Sequence, residues 1–389
     1  MIMKKMLFAA VALFILTAIL GRALLPGLLE NSMNVVDEHA PYSISERAQG
    51  LHDSLFVVDL HSDSLLWDRD LSERSSRGQV DLPRLRQGNV AIQVFSATTK
   101  SPTGQNYESN EAGTDTITPL AIVSGWPAAT WGSLYERARY QLEKLHELVA
   151  ANAPDVIFVR NKRDLEKLVT ARQSDADVVG AMYLIEGAHP LEGDVDNLDR
   201  LQAQGLQFVG LTHFFDNEVG GSLHGISGEG LTDFGRSVIA RADQLGMTID
   251  IAHASPQMVR DVLALTSRPV ILSHGGFKGH CDSPRNLDDE LMLQVAEAGG
   301  IIGVGYWDAT ACDYSPAGIA RSIRYGIELM GLEHIALGSD YDGAVTTSLD
   351  TSELAALTQA MLDQNFTETE IRAVMGGNML RFLRAQLPE

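Results

Sequence analysis

Residues 58–65 read VDLHSDSL, an apolar run that ends in a histidine, a spacer and an aspartate. Side chains two positions apart on a strand point to the same face. If the run is a strand, His61 and Asp63 set an imidazole beside a carboxylate. Such a pair can be half of a metal site, a catalytic dyad or an ordinary polar strand end. The other apolar runs bear on the choice. VGAMYLIEG (179–187) carries Glu186 at its end, LQFVGLTH (206–213) His213, MTIDIAH (247–253) His253, PVILSH (269–274) His274, and HIALGSD (334–340) Asp340. Six of eight such runs therefore end in His, Asp or Glu, and four of the chain's 11 histidines fall on those ends.

Neutral imidazole and carboxylate are zinc-type ligands. Three histidines with two carboxylates exceed what one catalytic ion with an open position needs. They suit two ions ~3.5–4 Å apart that share a bridging carboxylate. Glu186 lies between the two ligand groups in chain order. One ion is then expected on His61, Asp63 and Glu186, the other on Glu186, His253 and His274. A water between them would ionise near neutral pH and act as a metal-bridging hydroxide nucleophile.

These ends must be brought to one place. The eight runs include LFVVDLH (55–61), VAIQVFSA (90–97) and GIIGVGYW (300–307), and a weaker ninth is DVIFV (155–159). Helical patterns fill the gaps, at 133–151, 255–267, 288–300 and 315–331, with Ser-Pro starts at Ser255-Pro256 and Ser315-Pro316. Serine suits an N-cap and proline the first helical position. Strands alternating with helices give a parallel sheet. Eight units imply a closed (β/α)8 TIM-type barrel, whose chemistry sits at the C-terminal ends of its strands. An open doubly wound sheet is the alternative, but no Gly-rich phosphate loop follows the first run. Residues 98–133, rich in Gly, Thr, Ser and Pro, read as a long loop or insertion.

The chain ahead of the barrel is a different matter. Lys4 and Lys5 precede an uncharged apolar run from Met6 to Gly21, the pattern of a signal peptide or N-terminal membrane anchor. The only small-x-small cleavage site is Gly21-Arg22-Ala23, which favours an uncleaved anchor. The expected division is 1–29 anchor or signal, 30–50 polar connector and 51–389 catalytic barrel, with the barrel outside the cytoplasm. There, Cys281 and Cys312, the only cysteines, can form a disulfide. Thirty Lys and Arg against 51 Asp and Glu give a formal charge of −21, which argues against a nucleic-acid partner.

Taken in order, DLHSD, LIEGAH, GLTH, IDIAHAS, VILSH, SPRN and GSDYDG span about 55–380. In this set and order the chain resembles the membrane dipeptidase (renal dipeptidase) family of zinc peptidases. The resemblance implies a β/α barrel with two zinc ions that hydrolyses dipeptides, and the same five ligands: His61, Asp63, Glu186, His253 and His274. It further implies His213 on the scissile carbonyl, Arg285 on the substrate carboxylate and Asp340 as the proton carrier. The residue chemistry agrees: a guanidinium can grip a carboxylate in a bidentate way, an imidazole can donate to a developing oxyanion, and a carboxylate can relay a proton. Ser62, Ser64 and Ala188 depart from the family's motifs and touch pocket detail. Tolerance of a D-residue at the C-terminal position, and a homodimer, are left open. Two other readings are a related two-metal amidohydrolase acting on another amide or a lactone, and a non-catalytic envelope binding protein. Against the first, amidohydrolase barrels often bridge their metals with a modified lysine, and no run here ends in Lys.

Overall fold

The computed structural model of the protein describes residues 24–389, together with Lys4, Met6, Gly21 and Arg22. Residues 7–20, the body of the expected anchor or signal, lie outside the described residues, and among those described no helix is long and apolar enough to cross a membrane.

Eight parallel strands close into a barrel. They are β1 (Val57–Ser62), β2 (Val90–Thr98), β3 (Val179–Glu186), β4 (Phe208–Gly210), β5 (Thr248–Asp250), β6 (Ile271–Gly275), β7 (Ile301–Val304) and β8 (Ile335–Leu337). Each pairs with the next, and β8 returns to β1 through Leu337 opposite Asp59. Five lie within the apolar runs named above, and β1, β2 and β6 extend one residue past theirs. Each is buried on both faces, which is why the runs are nearly continuous rather than alternating. The ninth run yields Val156–Phe158, which pairs only with the first half of β3 and stands outside the ring.

Alternation inside the barrel aims the site. Ile92 and Val94 on β2, with Met182 and Leu184 on β3, belong to the cluster that fills the interior. Continuing each series by twos reaches Thr98 and Glu186, which are register partners and meet at the mouth, where Thr98 Oγ1 donates to Glu186 Oε2 at 2.8 Å. Backbone packs closely beside Ser273. A Cβ on Gly303 or Gly338 would lie 2.1 or 1.9 Å from the Ser273 carbonyl oxygen, so only glycine fits at either position.

The helices start where their caps indicate. Ser133 opens Leu134–Ala151, Ser255 opens Pro256–Leu265 and Ser315 opens Pro316–Met330. The insertion at 98–133 is partly ordered, with helix Ile117–Val123 and a short turn of helix at Ala128–Trp131. The stretch 30–50 is bonded to the loop after β8. Asn34 Oδ1 accepts from Ala344 N at 2.9 Å, Val35–Val36 pairs with Thr346–Thr347, and Tyr42 Oη donates to Ser348 O at 2.6 Å. Cys281, after β6, and Cys312, after β7, are disulfide-bonded with Cα atoms 5.5 Å apart.

Candidate metal centre and substrate cavity

The strand ends converge on Glu186. Its Oε1 lies 3.6 Å from His61 Nε2, 3.2 Å from His253 Nε2 and 3.4 Å from His274 Nε2. Its Oε2 lies 3.5 Å from His213 Nε2. Asp63 and Asp340 stand 3.7 and 3.8 Å from His61 Nε2. Every residue expected at the site from the strand ends is thus within one buried cluster, and Arg285, from the loop after β6, joins it with Nη2 3.5 Å from His253 Nε2.

The backbone is bent to do this. His253 and Asp340 both have φ of 60°, a left-handed conformation that residues other than glycine adopt at a cost and that clusters at functional sites.

A group of donors fits a metal when it offers lone pairs and surplus negative charge with nothing else to satisfy them. His61 Nε2 is buried without a hydrogen-bond partner, and His253 Nε2 and His274 Nε2 face each other at 2.9 Å. Burial disfavours charge on His61, yet Glu186, Asp63 and Asp340 outweigh burial and lift its pKa to about 10. The pocket therefore attracts positive charge strongly. Burial, with Arg285 and the other imidazoles, holds His253 and His274 well below the usual histidine range, so both are neutral, the form that ligates metal. Burial pushes Asp340 well above the carboxylate range; His61 opposes this and the Glu186 and Asp63 charges reinforce it. Three overlapping sets, His61–Glu186–His274, Glu186–His213–His253 and His61–Asp63–Asp340, have ligand-type atoms close enough to share an ion. The residues fit one or two divalent cations.

Behind the cluster lies a layer that sequence reasoning missed. Ser273 Oγ donates to Asp250 Oδ2 at 2.6 Å and stands 2.9 Å from His274 Nδ1 and 3.3 Å from His61 Nδ1. Both imidazoles can therefore donate from Nδ1 and keep Nε2 free, the usual role of an outer-shell partner. On the other side, Ser339 Oγ meets Asp59 Oδ2 at 2.6 Å and His61 O at 3.0 Å, steadying the strand end before Asp340. Thr98 Oγ1 touches both Asp63 Oδ1, at 3.1 Å, and Glu186. The available signal was an acid in the middle of two otherwise apolar runs, Asp59 and Asp250, where an unpaired charge is disfavoured.

Above the cluster opens a cavity of about 640 Å³ reached by Glu186, His213, Arg285 and Asp340. Arg285 is 2% exposed and its Nη2 donates to His274 O at 2.8 Å, while its Nε has no partner. Its guanidinium sits 5.6 Å above the Trp307 ring. The insertion adds Tyr107, whose hydroxyl accepts from Trp307 Nε1 at 2.9 Å and whose pKa burial raises to about 12. No motif marked Tyr107, because its loop has no periodicity.

The chain is similar to known dipeptidases in sequence and in fold. Dipeptidase aclJ of Aspergillus oryzae is 28% identical over 355 residues, covering 84% of this chain and 77% of its own. Dipeptidase 3 of Homo sapiens is 26% identical over 371 residues, covering 87% and 66%. Among solved structures, the metallopeptidase described as dipeptidase AC shares the fold at TM-score 0.69 and 22% identity, over 86% of this chain and 100% of that one. A metallopeptidase from Rhodobacter sphaeroides, liganded with a phosphinate mimic of the dipeptide L-Ala-D-Ala, shares it at 0.68 and 21%, over 85% and 99%. The model of the membrane dipeptidase family, peptidase family M19, matches residues 45–387. On that match the chain belongs to the membrane dipeptidase family and is a metal-dependent dipeptidase.

Proposed function

We propose that the enzyme holds two zinc ions and cleaves dipeptides, including ones with a D-residue at the C-terminal position. The observation that carries the reading is the position of Glu186, one carboxylate within 3.6 Å of four imidazole nitrogens. In this reading His61, Asp63 and Glu186 hold the first ion, and Glu186, His253 and His274 the second. When bound, the ions supply Lewis acidity toward the scissile carbonyl and a water ionised near neutral pH.

The chain's own groups do the rest. Arg285 takes the substrate's terminal carboxylate, a role supported by its burial and by a guanidinium nitrogen left without a partner. His213 donates from Nε2 to the oxygen that becomes negative in the tetrahedral state. Asp340 takes the proton of the attacking water and passes it to the leaving amine. The mimic bound to the Rhodobacter relative carries a C-terminal D-alanine, which supports tolerance of that configuration here. The location that fits is outside the cytoplasm, with residues 1–29 as anchor or signal and 51–389 as the working domain; the Cys281–Cys312 bond suits an oxidising compartment.

The test is a hydrolysis screen of the zinc-loaded protein against dipeptides, tripeptides and non-peptide amides, with metal counted by elemental analysis. Two ions per chain and cleavage confined to dipeptides are expected, with Glu186→Gln losing both metal and activity. A fully loaded protein that cleaves other amides or lactones but no dipeptide refutes the reading.

A further inference from the structure

The cavity above the cluster has a wall that comes from ahead of the barrel. Leu25, Leu29 and Met33 line it, spaced by four along the helical residues 24–33, so they share one face. Each keeps at least 40% of its surface exposed, apolar area that a substrate side chain can cover. Ile117, Leu120 and Val123 of the insertion helix line the same cavity.

This helix is fastened to the site. Glu30, on its buried face, meets Arg69 Nε at 2.5 Å and Arg77 Nε at 2.6 Å. Arg69 also pairs with Asp342, two residues beyond Asp340. Asp342 in turn accepts from Gln79 N at 2.7 Å and Ser64 Oγ at 2.6 Å. A carboxylate buried between two guanidinium groups fastens the helix, since removing either partner of a buried ion pair is strongly destabilising.

Its position around the ring gives the wall a role. The helix is bonded through Glu30 to Arg69 and Arg77 in the loop after β1; Arg69 pairs in turn with Asp342 after β8, and Asn34, just past the helix, accepts from Ala344 N. Arg285 follows β6, two strands round the ring from β8 and three from β1. Arg285 and the helix line the same cavity, so a substrate held by its carboxylate at Arg285 can place its other residue against the helix.

We infer that residues 24–33 form part of the substrate site, with Leu25, Leu29 and Met33 setting which side chain is accepted on the substrate residue remote from Arg285. This rests on the dipeptidase reading above. The surface is apolar and wide, so it selects dipeptides with a large apolar N-terminal residue over small ones. Residues 24–33 must then remain attached in the working enzyme, which, of the two readings of residues 1–29, requires the anchor.

The experiment uses the full chain, zinc-loaded, with Phe-Ala and Ala-Ala as substrates. The wild type is expected to favour Phe-Ala in kcat/KM. Leu29→Ala and Met33→Ala, made separately, should each reduce that preference roughly tenfold, the scale of a few lost methylene contacts, chiefly through KM for Phe-Ala. A general folding defect would slow both substrates alike and leave the ratio unchanged. An unchanged ratio in both variants, with the wild type active, overturns the assignment of the wall and leaves the dipeptidase reading standing. Cleavage of neither dipeptide by the wild type overturns both.

Discussion

Ser273→Ala isolates the outer layer of the metal centre. The serine hydroxyl has one hydrogen, given to Asp250 Oδ2 at 2.6 Å, and lone pairs facing His274 Nδ1 at 2.9 Å and His61 Nδ1 at 3.3 Å. Removing it frees one ring in each proposed ion site to rotate or change tautomer. Two neutral hydrogen bonds are worth ~1–3 kcal/mol net. The loss expected of an outer-shell partner, ~10- to 100-fold in affinity, corresponds to ~1.4–2.8 kcal/mol, so the two routes to the magnitude agree. Asp250 keeps two backbone donors, Ala252 N at 3.0 Å and Ser273 N at 2.8 Å, so the variant should fold. Competition between the apoprotein and a chromophoric chelator would give the zinc affinities, and urea unfolding would confirm the fold. Activity should return at high zinc. Affinities within twofold of the wild type would refute the claim that Ser273 orients the ligands.

Arg285→Ala should erase the preference for a free dipeptide over its C-terminal amide, a loss of ~1.5–3 kcal/mol or roughly ten- to a hundredfold in kcat/KM; equal rates on acid and amide by the wild type would sink the role given to Arg285. The paired change Cys281→Ser with Cys312→Ser opens a loop of sequence separation 31 and should lower the unfolding free energy by ~3–4 kcal/mol, read from urea midpoints under non-reducing conditions. Burial holds His189 and His224 neutral, with pKa values of about 3 against an ordinary 6.5. The unfolded chain takes up these protons first, so their contribution is complete above ~pH 6.5 and is lost as pH falls toward 3, by ~2 kcal/mol per ring near pH 5. Urea midpoints unchanged between pH 7 and pH 5 would contradict this.

Most of the architecture was legible because barrel strands are buried twice over. A strand such as Val179–Glu186, covered on both faces, has to be largely apolar along its length, so the His, Asp or Glu that ends the run marks where it meets the mouth. Glu186, His253, His274 and Asp340 were found by that argument alone. Other features depend on which strand lies beside which. Nothing near Ser273 in sequence announces Asp250, 23 residues earlier, and nothing near Ser339 announces Asp59, 280 residues away. Tyr107 and the helix at 24–33 reach the cavity from segments without strand periodicity, and only tertiary packing brings them there. The insertion was read as loop because glycine, proline and threonine crowd it, yet Ile117–Val123 gains its helix by covering the cavity and burying Ile117 and Ala121.

The two hidden acids share a structural logic. Around the ring, most neighbouring strands are joined by several register pairs, seven of them between β2 and β3. Two junctions have a single pair, Leu337 opposite Asp59 between β8 and β1, and Asp250 opposite Ile271 between β5 and β6. These are the two junctions crossed by an aspartate–serine link, Asp59 to Ser339 and Asp250 to Ser273. In each, the aspartate accepts both the backbone N–H and the hydroxyl of the serine, so a side chain takes the place of the missing ladder. In each, the residue after the serine is a site residue, Asp340 or His274. The aspartate–serine link closes each seam beneath the converging side chains. Stability of the ring and orientation of the metal centre therefore depend on the same two buried carboxylates.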